Sequence, residues 1–335
     1  NTVFSHNNAT TNGGAIDWRA GAGDIENTNF TANEAIYGGG IYLNGISSQS
    51  RIFNDIFDGN RATKNGGAID CNAEHIGIYN LTFEHNYAGE YGAALCREAN
   101  ATGGFGGNNT FIKNDAGIAG AALAWLGVEG ININNYTFIN NTAFKSGGAI
   151  YVRGDSPNCK VRNSYFDTNY ITDVKNGQGG AIDWVASSGT IIDSELTGNC
   201  ANYGGGIYFG GLAAQSIVRR CNFTDNHAKY TGGAIDCNSS NLLLYDSRFD
   251  SNYAQFGAAL CREVSAIGGN GSNNLFINNH AFISGAALGW LGAENIKIIE
   301  NAKITEILPE ESDVYWSRSL SISGNGEFRS GHIGY

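Results

Sequence analysis

The chain has 335 residues with Lys+Arg 20 against Asp+Glu 31, a net charge of −11, 48 glycines, two prolines and no methionine. Glycine stands far above its usual ~7% share, yet proline is too scarce and glycine too irregular for collagen, which needs Gly at every third position. Hydrophobic residues at 42% are enough for a core, and an acidic chain without a basic block excludes phosphate-mediated nucleic-acid binding.

No apolar run reaches the ~20 residues of a membrane helix. The chain opens partway through a repeat, at Asn1-Thr-Val-Phe4, which reads as a mature form or as an excerpt of a longer exported protein. Sequons begin at Asn8, Asn29, Asn80, Asn100, Asn108, Asn135, Asn140, Asn222, Asn238 and Asn270. That density fits a glycosylated surface protein.

Two landmarks alternate from the start. The first is Gly13–Trp18 (GGAIDW), with variants beginning at Gly38, Gly66, Gly92, Gly120, Gly147, Gly179, Gly204, Gly232, Gly257 and Gly285. The second is a Phe followed three residues later by Asn, from Phe4/Asn7 to Phe276/Asn279, with Leu196/Asn199 in the one gap. A period in the high twenties with short β-rich runs between turn residues, and no leucine skeleton or helical stripe, predicts an all-β parallel β-helix of about eleven to twelve rungs.

Within each rung the glycine pair turns the backbone into a strand. Ile16 and its successors Ile41, Ile69, Leu95, Leu123, Ile150, Ile182, Ile207, Ile235, Leu260 and Leu288 point inward, with the Phe column opposite. The Asn of each Phe-x-x-Asn unit is expected to make the tight turn, through its tolerance of left-handed angles, and to stack into an amide ladder.

A longer period overlies the short one. Trp18 recurs as Trp184, Tyr42 as Tyr208, Cys71 as Cys237 and Cys96 as Cys261. The β-helix is therefore assigned to residues 1–301, as blocks of six rungs at about 1–165 and 166–301. Residues 302–335, where both landmarks stop, are expected to be an irregular cap or the start of a further domain.

Strand alternation predicts that the residue after each inward Ile faces solvent. That column, with the Arg-Glu pairs beside it, is the candidate binding face: Asp17, Tyr42, Asp70, Arg97, Glu98, Tyr151, Asp183, Tyr208, Asp236, Arg262 and Glu263. Asp17 and Asp70, two rungs apart, stand ~9–10 Å from each other at the usual strand spacing, which overlaps the carboxylate separation of inverting glycosidases. Asp183 and Asp236 repeat the pair. A solvated acidic face is the plainer account, and no catalytic residue is assigned. The tryptophans are expected inside the coil.

Neighbouring rungs make Cys71 with Cys96, and Cys237 with Cys261, candidate disulfides, although the alignment sets each pair on opposite faces. Cys200 with Cys221 is a third candidate, leaving Cys159 free. No metal spacing is present among the cysteines or histidines, and no nucleotide loop, so no metal and no cofactor are expected.

The alternation of GGAI with FxxN over residues 4–301 resembles the polymorphic outer-membrane proteins of chlamydiae and, more closely, the adhesin-like surface proteins of methanogenic archaea. The resemblance implies a right-handed coil, export to the cell surface, and adhesion to a glycan or protein on a partner cell, with self-association into larger assemblies as a further expectation. A polysaccharide hydrolase or lyase on the same scaffold, and a passive spacer, are the alternatives.

Overall fold

The computed structural model describes residues 2–99 and 101–291, together with the backbone of six short strands between 297 and 334. Strands dominate it, and among the described residues the one helical turn is a three-residue 3-10 segment at Gly45–Ser47. Four parallel sheets of 13, 13, 12 and 10 strands run the length of the described chain. Every described pairing is parallel and joins a strand to its equivalent one turn away, giving a solenoid of about eleven turns.

The third rung shows the path. Ile69–Cys71 lies in the motif sheet, Gly77–Tyr79 in a second sheet, Thr82–Glu84 in the Phe sheet, and Tyr87–Ala88 in a short fourth sheet. The Gly92-Ala93 corner follows, and Leu95–Arg97 returns to the motif sheet directly over Ile69–Cys71. The first glycine is obligatory at this corner, and the second is constrained here although Ala93, Ala121, Ala258 and Ala286 take its place in other rungs. Gly66 has φ +62°, and a Cβ there would collide with the carbonyl oxygen of Ile69; at Gly67 it would strike Tyr87 and Ala93 oxygens.

The inward column is as predicted: Ile69 registers with Ile41 below and Leu95 above, and the pairing continues through Leu288. Opposite it, phenylalanine rings stack face to face, with centroids 4.7 Å apart for Phe30 and Phe57 and 4.5 Å for Phe138 and Phe166. Leu196 interrupts the stack without leaving the core. Two separate alanine clusters, around Ala88 and Ala116 and around Ala254 and Ala281, fill the narrow seam under the fourth sheet.

The asparagines depart from expectation in one respect. Asn60, Asn86, Asn114 and Asn141 are fully buried and form the amide ladder. Asn114 Nδ2 donates to Asn141 Oδ1 at 2.9 Å and to the Phe83 carbonyl at 3.1 Å, while its backbone N–H reaches the same Oδ1. The left-handed angle falls one residue earlier, at His85, Lys113, Asn140 and Thr168. The ladder satisfies backbone groups that a sharp, buried turn would otherwise orphan, so the side chain is used for bonding and its neighbour for the bend.

At the C-terminal end, strands Lys303–Thr305 and Val314–Trp316 extend the Phe and motif sheets in parallel register. Most of residues 302–335 lie outside the described residues, as does the sequon asparagine Asn100. Among the described residues no helix is long and apolar enough to cross a membrane.

Candidate functional site

The outward column is stacked as the spacing predicts, Asp17 on Tyr42 on Asp70 on Cys96, and Asp183 on Tyr208 on Asp236 on Cys261. It is not a solvent face. Asp17 is exposed, but Asp70, Asp183 and Asp236 are at most 1% exposed, and Tyr208 and Cys96 are buried with them. Alternation fixes which side of the sheet a residue occupies; it does not say what lies over that side. Here the tight glycine corner brings the residue just before it against the outer face of the strand. Tyr37, Asn65, Tyr91, Ser146, Tyr203 and Thr231 occupy that position.

Arg97 and Arg262 leave the candidate face altogether. Each is one residue past the outward Cys, so each turns inward, and both are about as buried as the core. Arg97 donates to the Ile76 carbonyl at 3.2 Å, and Arg262 to the Gly268 carbonyl at 2.5 Å. Glu98, Glu263, Tyr42 and Tyr151 stay half-buried beside the column.

The same geometry removes the candidate disulfides. All seven cysteines are unpaired. Cys71 registers with Arg97 and points into the core, whereas Cys96 registers with Asp70 on the outer side. Cys237 and Cys261 repeat this arrangement. Cys200 is in the fourth sheet, with its Sγ 3.6 Å from His227 Nδ1, while Cys221 packs in the core against the Ile191 carbonyl.

A cleft of about 600 Å³ opens over the column in the first block. Tyr37, Tyr42 and Tyr91 line it with Asp70, Glu98 and Arg153. The Arg153 guanidinium lies 4.7 Å over the Tyr91 ring, which stacks on Tyr151 with centroids 6.1 Å apart. Asn65 Nδ2 donates to Glu98 Oε1 at 2.8 Å. Burial, reinforced by the nearby Glu98 carboxylate, pushes the Asp70 carboxyl well above the usual range. Burial likewise raises the Asp236 carboxyl, with Glu263 adding to the effect, and holds the Cys96 and Cys261 thiols protonated.

The two candidate glycosidase carboxyls are unlike and separated. Asp17 is paired with Arg19 at 2.9 Å in the open, Asp70 is buried, and the Tyr42 rung stands between them. Among the described residues, two groups of ligating side chains, absent from any local spacing in the sequence, do meet in space: Asp58 with Glu84 and His85, and Asp70 with Cys96 and Glu98. Each draws on adjacent rungs, so the signal lay in the ~27-residue period and not in a short motif.

The Chlamydia polymorphic membrane protein repeat matches the chain at residues 1–17, 56–72, 135–153 and 220–238. Each matched segment ends in or just after a glycine motif, and all four also contain the Phe-x-x-Asn unit before it. No curated protein and no solved structure matches the chain. Over those four segments the solenoid is similar to this membrane-protein repeat.

Proposed function

We propose that this chain is a binding region of a cell-surface adhesin, engaging a glycan or protein on a partner surface through the first-block cleft. The observation that carries the reading is the tyrosine-lined cleft itself. Tyr37 and Tyr42 flank one glycine corner and Tyr91 stands two rungs on, all three half-buried rings beside the Asp70 and Glu98 carboxyls. Aromatic faces with a few fixed polar groups suit a sugar ring or a cationic side chain. The polymorphic membrane protein repeats support a surface location. Sequon asparagines Asn8, Asn29, Asn80, Asn108, Asn135, Asn140, Asn222 and Asn270 are exposed and open to glycosylation, whereas Asn238 is half-buried.

The test is retention of the purified chain on a glycan array and on intact cells, comparing wild type with Tyr91→Ala and Tyr37→Ala. Retention that both variants reduce at least tenfold is expected. Retention unchanged in both moves recognition away from the cleft, and no retention anywhere favours a spacer.

A further inference from the structure

Three side-chain oxygens along the first-block cleft lack a donor. Asp70 Oδ1, Asn65 Oδ1 and Asn72 Oδ1 are each shut off from solvent and receive no hydrogen bond. Asp70 and Asn65 are more than nine-tenths buried. Buried oxygens without donors are costly, and several facing one region are stabilised by a positive charge placed among them. Beside them Asp70, Cys96 and Glu98 bring one carboxylate oxygen, one sulfur and one further carboxylate oxygen all within 4.8 Å of one another.

We propose that Asp70, Cys96 and Glu98 form a binding site for a divalent transition ion of the zinc class, open to the cleft on its fourth side. The thiolate selects against calcium and magnesium, which take oxygen ligands, and favours zinc or cobalt. Three protein ligands leave one tetrahedral position for water or for a group arriving through the cleft. Ligation deprotonates Cys96, whose proton leaves to solvent as the metal–sulfur bond forms. Asn65, donating to Glu98 Oε1, orients that carboxylate from outside the ligand shell.

The second block marks the site by contrast. Asp236, Cys261 and Glu263 repeat the three ligands in the same register. In place of Asn65 stands Thr231, whose hydroxyl donates to Asp236 Oδ2 at 2.5 Å and lies 3.4 Å from Glu263 Oε1. An internal donor thus occupies the space between the carboxyls there, so one ion per chain is expected, in the first block.

The experiment uses the whole chain, stripped with chelator and titrated with Co²⁺ alone, then with Zn²⁺. One equivalent of Co²⁺ should produce a sulfur-to-cobalt charge-transfer band, which Zn²⁺ then abolishes. Cys96→Ala should remove the band and weaken Co²⁺ binding by about a hundredfold or more, and Cys261→Ala should leave both unchanged. Alanine is compatible with the fold at this position, because Ala124 occupies the same column one rung on. Glu98→Gln, at the cleft edge, should keep the band and lower affinity by about tenfold. Absence of the band in wild type overturns the proposal, as does a band that survives Cys96→Ala. The readout uses metal alone, so it stands or falls separately from recognition of a partner surface.

Discussion

Thr231 and Asn65 occupy the same place in the two blocks but bond differently. Thr231 closes on Asp236 Oδ2, five residues along its own rung, at 2.5 Å, whereas Asn65 passes over Asp70 to reach Glu98 on the next rung. A hydroxyl has one proton and gives it to the nearer carboxyl, with Glu263 Oε1 3.4 Å away, whereas the longer amide donates to the next rung. The two blocks therefore carry one constellation in a closed and an open form.

Removing the closure should be costly. Thr231→Val keeps the shape but takes away a donor to Asp236, whose Oδ1 already receives no hydrogen bond. A loss of about 1–3 kcal/mol is expected from stranding a buried polar group, measured as a lower urea midpoint with an unchanged slope. Asn65→Ala, which removes a bond to a half-buried carboxylate, should cost less.

Much of this architecture was legible in the sequence, and the residues show why. Ile69 repeats at a fixed distance from Gly66 in every rung, so its register with Ile41 and Leu95 follows from the motif alone. The period alone stacks Asp70 between Tyr42 and Cys96, but its burial does not follow from alternation, since covering by Asn65 and Tyr42 depends on the path of the corner. Arg97 recurs with Glu98 and so reads as part of the face, although alternation from Cys96 turns it inward. The Asp70–Cys96–Glu98 grouping was invisible because it spans two rungs.

The amide ladder predicts a sharp contrast between asparagines. Asn141 Oδ1 accepts from the backbone and side-chain nitrogens of Asn114, and its Nδ2 donates to the Phe111 carbonyl at 3.0 Å and to Asn169 Oδ1 at 2.9 Å. Asn141→Ala leaves several buried groups unsatisfied and should destabilise by about 2–5 kcal/mol. Asn135 belongs to an exposed ladder on the outside of the coil, donating to Asn108 at 2.7 Å. Asn135→Gly, which suits the φ of +60° there, should cost under about 1 kcal/mol, and equilibrium urea unfolding of both variants decides the matter.

Two left-handed glycines should respond in opposite ways. Gly59, at φ +66°, has open space where a Cβ would stand, and its column holds His85 and Asn140 in other rungs. Gly59→Asn should change stability by less than about 1 kcal/mol. Gly66 has nearly the same φ, yet a Cβ there runs into the backbone of Ile69 and Asp70. Gly66→Ala should lower the thermal midpoint steeply or prevent folding, and a small effect would show that the corner is looser than its geometry.

The pH dependence of stability should run downward from acid to neutral. Burial raises the Asp183 carboxyl from its ordinary 3.8 to about 7, and Ser146 on the covering segment offsets this only in part. Asp55, raised to about 6 by burial, acts in the same sense. Between pH 4 and 7 the folded chain therefore keeps a proton on Asp183 that the unfolded chain has lost. The contribution of protonated Asp183 is complete below about pH 4 and is lost as pH climbs through 7, a change on the order of 4 kcal/mol. Asp183→Asn keeps the shape, never ionises, and should flatten this slope. In chelator-treated samples, melting wild type and variant at pH 5 and pH 8 should show a larger drop for wild type. Equal drops would mean that Asp183 ionises in the folded coil as readily as in water, with solvent reaching it between Tyr151 and Tyr208.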